Sequence, residues 1–209
     1  MEKLYFDNET FIWKKKLNLT SHKDELLTSS YDIINAELNN TTGGYSYKTI
    51  WDDDTNKVLD TVLQIGVNEC KILAMKNDIK YNHINFYSWI NVVLSKNPIQ
   101  TSFKYKEDTG IRKYHSHTEI NASLNSFYPH YTFVYYIQMP DTMNDDDGAL
   151  YFLNTNGNEY WIKPEEDDLI VMPGYMPHSP NNAPNSNTNR IVIAGNVGFD
   201  FVKNEKSII

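Results

Sequence analysis

Cysteine occurs once in the 209 residues, at Cys70. A single thiol excludes an intramolecular disulfide and fits a reducing compartment. Long apolar runs are missing as well: none reaches the roughly 18 residues a membrane span needs, so no membrane partner is expected. The opening, MEKLYFDNETF, lacks the basic and apolar regions of a secretory signal, which adds to the expectation of a cytoplasmic protein. Basic charge is scarce, with a net charge of −8 and one short cluster, WKKKL at 13–17. That cluster reads as a solvated strand edge. Without a basic stripe, nucleic acid is not an expected partner. Glycine-rich nucleotide loops and a Gly-x-Ser-x-Gly elbow are absent too. Arginine is nearly missing: of 19 basic residues only Arg112 and Arg190 are Arg. Only Arg grips a carboxylate with a planar, two-bonded fork, so each position raises a question.

What the chain does have is aromatic and β-branched sequence, with 15 Tyr and 9 Phe. Its length fits one domain, 1–209, with a supporting part over 1–80 and a β core over 81–203. Residues 3–13 suggest a first strand. SHKDELLTSSYDIINAELNN opens with Ser21 and Asp24 in a capping-box arrangement, and Leu27, Tyr31, Ile34 and Leu38 follow at helical spacing. TTGG at 41–44 ends that helix. A second helix is expected over 56–77. From residue 83 the pattern changes to short β-rich runs: HINFYSWINVVLS, IQTSFKY, YTFVYYIQM, GALYFLN, EYWIKP, DLIVMP and RIVIAGNVGFDF. TNGN at 155–158 signals a hairpin. Seven or eight such strands point to a sandwich, barrel or jelly roll. The acidic runs WDDD, NDDDG and PEEDD lack calcium-loop spacing and read as solvated turns.

One stretch concentrates metal-binding side chains. In GIRKYHSHTEIN, His115, His117 and Glu119 fall within five residues. Along an extended segment, side chains two apart share a face. His115 with His117, or His117 with Glu119, can therefore reach one ion, and periodicity does not choose between them. A third ligand must come from elsewhere, and His178 in VMPGYMPHSPN is the candidate. The flanking prolines stiffen its turn, which suits a ligand that must wait for an ion. Arg190 then opens the apolar run RIVIAGN, where a charged residue must face solvent or hold a buried anion. Two His and one carboxylate leave three open positions on iron, the facial triad of non-haem oxygenases.

The ordered set resembles the 2-oxoglutarate- and Fe(II)-dependent oxygenases, most of all the prolyl-hydroxylase type. The set is His-x-Glu, a distant His, then an Arg. Tyr114 stands three before His117, TFVYYI matches a Thr-x-x-Tyr-Tyr-Leu strand, and DDDGALYF and IKPEEDDLIVMPGYMPH follow in order. The resemblance spans about residues 80–200, and the Asn- and Lys-rich composition suits a bacteriophage or bacterial member, acting in the host cytoplasm if phage-encoded. It departs from the family at two places: Glu119 stands where Asp is commoner, and Val192 where many members have Ser.

The resemblance implies a mainly β fold, a double-stranded β-helix (jelly roll) with the N-terminal helices packed against it. It implies His117, Glu119 and His178 as metal ligands, with His115 a neighbour. Arg190, Tyr136 and Tyr105 are the implied contacts of the co-substrate. Fe(II), 2-oxoglutarate and O₂ are the implied cofactors, with ascorbate stimulatory, and the products are succinate, CO₂ and a hydroxylated substrate. A prolyl residue, another peptide or a small molecule is the expected substrate, with NSFYPHY at 125–131 as a loop facing it. The helical N-terminal part is a candidate homodimer surface. Two other readings compete. One is a cupin-like site on His115, His117 and His178 that needs no 2-oxoglutarate. The other is a non-enzymatic jelly-roll binding protein.

Overall fold

The computed structural model describes residues 1–8, 10–38, 48–49, 57–93, 114–117, 129–141, 146–181, 183 and 186–201. In chain order the elements are β1 (Glu2–Tyr5), β2 (Phe11–Lys16), a 3-10 turn (Thr20–His22), α1 (Lys23–Leu38), β3 (Lys48–Thr49), α2 (Lys57–Lys76) and β4 (Tyr81–Val93). They continue as β5 (Pro129–Gln138), β6 (Leu150–Leu153), β7 (Glu159–Ile162), β8 (Asp168–Pro173), β9 (His178–Pro180) and β10 (Arg190–Phe201). Among the described residues seven strands form one antiparallel sheet in the order β1-β2-β8-β5-β10-β4-β3, and three form a smaller one, β7-β6-β9. This is the jelly roll the sequence implied.

Period-two alternation sorts the large sheet's side chains between two cores. Tyr131, Phe133, Tyr135, Leu169, Val171, Ile191, Ile193 and Val197 face Leu59, Val62, Val67, Cys70 and Leu73 of α2. The intervening Val134, Tyr136, Ile170, Met172, Val192 and Ala194 face Leu150 and Phe152 of the small sheet. Both helices thus cover the outside, and the site lies between the sheets. Phe133 fills the tightest point: a Cβ on Gly66 of α2 would stand 2.7 Å from its ring, and one on Gly195 of β10 would stand 2.5 Å away.

Several expectations change. Residues 3–13 are not one strand: the chain reverses where Thr10 donates its N–H to the Asp7 carboxylate (2.6 Å), and β1 and β2 pair across that turn. The WKKKL cluster is not an edge, because β2 lies between β1 and β8. Its lysines are paired: Lys14 and Lys16 approach Asp168 at 2.8 and 3.3 Å, and Lys15 approaches Glu69 at 2.5 Å. PEEDD is not a solvated turn either. Asp168 is fully buried and Asp167 nearly so. The Asp167 carboxylate accepts from the Asn18 and Leu19 N–H groups (2.6 and 2.9 Å) and from the Tyr135 hydroxyl (2.9 Å). That carboxylate, rather than a Ser21–Asp24 box, holds the chain at the approach to α1, and Ser21 lies inside the 3-10 turn. The TNGN hairpin forms as expected, with Gly157 at φ 80° and the Asn154 side-chain oxygen accepting from Asn156 and Asn158. IQTSFKY lies outside the described residues.

Candidate metal centre and anion pocket

The small sheet gains a further rung beyond β9. His115 and His178 exchange both backbone hydrogen bonds (3.0 and 2.9 Å), and the His117 N–H donates to the Gly174 carbonyl at 2.9 Å. These bonds pin the His-Ser-His segment to the β8–β9 turn. Directly opposed residues of an antiparallel pair project to one face. The sequence reading placed His178 in a stiff turn, whereas it opens the short strand β9, opposite Phe152 of β6.

Three histidines converge there. His117 and His178 present their Nε2 atoms 3.2 Å apart. Two nitrogens bound to one ion at about 2.1 Å stand about 3.0 Å apart at a right angle and about 3.4 Å apart in a tetrahedron, so the pair is spaced as neighbouring ligands. The ligand atoms of His115, His117 and His178 all lie within 4.8 Å of one another. The Met176 carbonyl accepts the Nδ1 proton of His178 at 3.0 Å, which fixes the tautomer and turns the Nε2 lone pair inward. The Trp89 ring of β4 packs 5.5 Å from that of His117. Burial, with the His115 ring beside it, lowers the His117 imidazole to about 4. Burial, with His115 and His117 close by, lowers His178 to about 3. Both rings are therefore neutral at neutral pH, the form that binds metal.

The second feature is Arg190, only 3% exposed. One guanidinium nitrogen reaches the Tyr136 hydroxyl at 3.5 Å and another reaches Asn91 Oδ1 at 3.4 Å. Both bonds are long. Among the described residues the buried Nε has no hydrogen-bond partner. Among the described residues no carboxylate forms an ion pair with Arg190, since Asp168 is already held by Lys14 and Lys16. A buried guanidinium with five donors and two weak acceptors is short of an anion. Tyr136 itself is fully buried; burial raises its phenol, and the Arg190 charge opposes the rise. The two tyrosines of TFVYYI thus part ways, Tyr135 to Asp167 and Tyr136 to Arg190.

The structure brings together His117 with His178, and Arg190 with Tyr136. Glu119, Tyr105 and Arg112 lie outside the described residues. Tyr114 donates to the Glu159 carboxylate on β7. His130 accepts the Phe199 N–H at 3.1 Å, so it bolts β5 to β10. The NSFYPHY expectation is corrected in part, because residues 129–131 belong to β5 and pair with β8 and β10; residues 125–128 lie outside the described residues. Asn91 was missed. It stands directly across from Val192 in the β4–β10 register and brings to Arg190 a polar group that Val192 cannot.

No family model matches the sequence, and no curated protein matches it. Solved structures do. A Pseudomonas putida prolyl-4-hydroxylase superposes with a TM-score of 0.64 at 13% identity, over 90% of this chain and 92% of that one. A Trichoplax adhaerens prolyl hydroxylase, in complex with a hypoxia inducible factor oxygen degradation domain peptide, gives 0.59 at 12%, over 90% and 83%. HygX from Streptomyces hygroscopicus, with nickel and 2-oxoglutarate bound, gives 0.53 at 9%, over 90% and 82%. The chain is built on the fold of the prolyl hydroxylases and related 2-oxoglutarate/Fe(II) oxygenases.

Proposed function

We propose that the chain is an Fe(II)- and 2-oxoglutarate-dependent dioxygenase that hydroxylates a C–H bond of its substrate. The observation that carries this reading is the buried Arg190, short of an anion, inside the same jelly roll as a preset His117–His178 pair. A co-substrate with a free carboxylate would give that guanidinium the anion it lacks among the described residues. His117 and His178 hold the metal through Nε2, and Glu119 supplies the carboxylate. Arg190 binds the far carboxylate of 2-oxoglutarate with the help of the Tyr136 hydroxyl, and Tyr105 is a second contact. Bound Fe(II) supplies the chemistry in which O₂ and 2-oxoglutarate give succinate and CO₂ while a substrate C–H becomes C–OH. The chain's own residues orient and exclude water: Met176 fixes His178, Trp89 backs His117, and Phe152, Leu150 and Val192 keep the interior apolar. A peptide substrate, with a prolyl residue as one form, follows the Trichoplax structure and its bound peptide. A small molecule is the other form.

The test is succinate formation by purified protein with Fe(II), 2-oxoglutarate and ascorbate, beside His178→Ala and Arg190→Ala. Wild type alone is expected to turn over. Charge-assisted bonds contribute about 1.5–3 kcal/mol, so Arg190→Ala should weaken 2-oxoglutarate binding by roughly 10–150-fold. Failure of the metal-loaded wild type to bind 2-oxoglutarate under anaerobic conditions would overturn the proposal. The cupin-like reading on three histidines would then lead.

A further inference from the structure

We propose that His115 is a fourth, displaceable ligand of the same metal centre, one that gives way when the co-substrate enters. This rests on the dioxygenase reading above. His115 is not merely adjacent in sequence. Its backbone exchanges both hydrogen bonds with His178 (3.0 and 2.9 Å), so the two side chains leave the sheet on one face. Its ring centroid stands 4.4 Å from that of His178 and 5.1 Å from that of His117, at 88° to the latter. Opposite ligands on one ion are about 4.2 Å apart for metal–nitrogen bonds of about 2.1 Å. The ligand atoms of all three histidines lie within 4.8 Å of one another, close to that limit.

Counting positions shows what such a ligand does. An octahedral ion has six. Two histidines, one carboxylate, a two-atom chelate of 2-oxoglutarate and O₂ fill them all. A fourth protein ligand therefore fits only while the co-substrate is away. Of the three histidines His115 is the most exposed. His178 is buried and tied to the Met176 carbonyl, and His117 packs against Trp89. His115 is exposed, so water already reaches its side chain. Its two roles then have opposite signs: it strengthens metal binding before the co-substrate arrives and opposes the co-substrate afterwards.

The experiment compares wild type with His115→Ala and His115→Gln, anaerobically, using Co(II). Gln keeps a polar side chain of similar reach without an imidazole. Two affinities are measured: Co(II) without 2-oxoglutarate, and 2-oxoglutarate for the Co(II)-loaded protein. Both variants should bind Co(II) at least tenfold more weakly and 2-oxoglutarate severalfold more tightly. If both affinities fall together, His115 only supports the site and the proposal is overturned. Unchanged Co(II) affinity with intact 2-oxoglutarate binding overturns it too, and leaves the dioxygenase reading standing. If neither wild type nor variants bind 2-oxoglutarate, the dioxygenase reading falls and takes the displacement with it.

Discussion

His117 and His178 face each other across 3.2 Å inside the jelly roll, and both gain from staying neutral. A free imidazole takes its proton near 6.5. In the folded chain burial holds the two at about 4 and about 3. Between pH 6.5 and those values the unfolded chain binds protons that the folded chain refuses. Stability from this pair is therefore fully present above pH 6.5 and declines as the pH falls through that window. In metal-free protein, ring ¹⁵N NMR should show both rings unchanged from pH 8 down to about 5.5. A midpoint near 6.5 for either ring would mean that water reaches the pair. The two rings were readable as partners from the ordered motif. The atom that orients His178 was not, because it is a backbone carbonyl, Met176 O, and carries no residue signature. Asn91 was hidden for another reason: its place beside Arg190 comes from cross-strand register with Val192, which neither strand reveals alone.

At the scale of elements, strands β5, β8 and β10 were plain in the sequence because both faces of each are buried and their runs are rich in β-branched, aromatic and other apolar residues. The short β9 was not, since two prolines flank its two-residue polar start and length gave no signal. The ion pairs of Lys14 and Lys16 with Asp168 depend on β2 lying beside β8, a pairing far apart in sequence. Helix α2 was well bounded, yet its closest contact turns on a glycine. Phe133 is wedged between Gly66 and Gly195, which sets how near α2 lies to the sheet. Gly195→Ala should push a methyl against that ring and against the Tyr87 carbonyl, 3.2 Å from the new Cβ. Overpacking of this kind costs about 1–3 kcal/mol. Urea unfolding is expected to show a lower midpoint at unchanged slope. A wild-type midpoint would show that Phe133 has room to move aside.

For the whole molecule, the two cores meet at the large sheet, and stability and binding pull in opposite directions at its inner face. The fold buries Arg190 beside Tyr136 and Asn91 with no ion pair among the described residues. Replacing a buried ionic group with a well-packed apolar one is often neutral or stabilising by about 1–4 kcal/mol. Methionine is flexible and fills irregular space. Arg190→Met, without ligand, should therefore be at least as stable as wild type. The ranking should reverse when metal and 2-oxoglutarate are added. Ligand bound only by the folded state stabilises it by about 2.7 kcal/mol at a hundred times its Kd, and only wild type retains that affinity. Thermal unfolding of both proteins, with and without 2-oxoglutarate at fixed metal, reads this directly. A crossing of the two Tm orders identifies Arg190 as a residue kept for its anion. Loss of several kcal/mol in ligand-free Arg190→Met would instead make the guanidinium a structural member of the core, and the anion pocket would lose its main support.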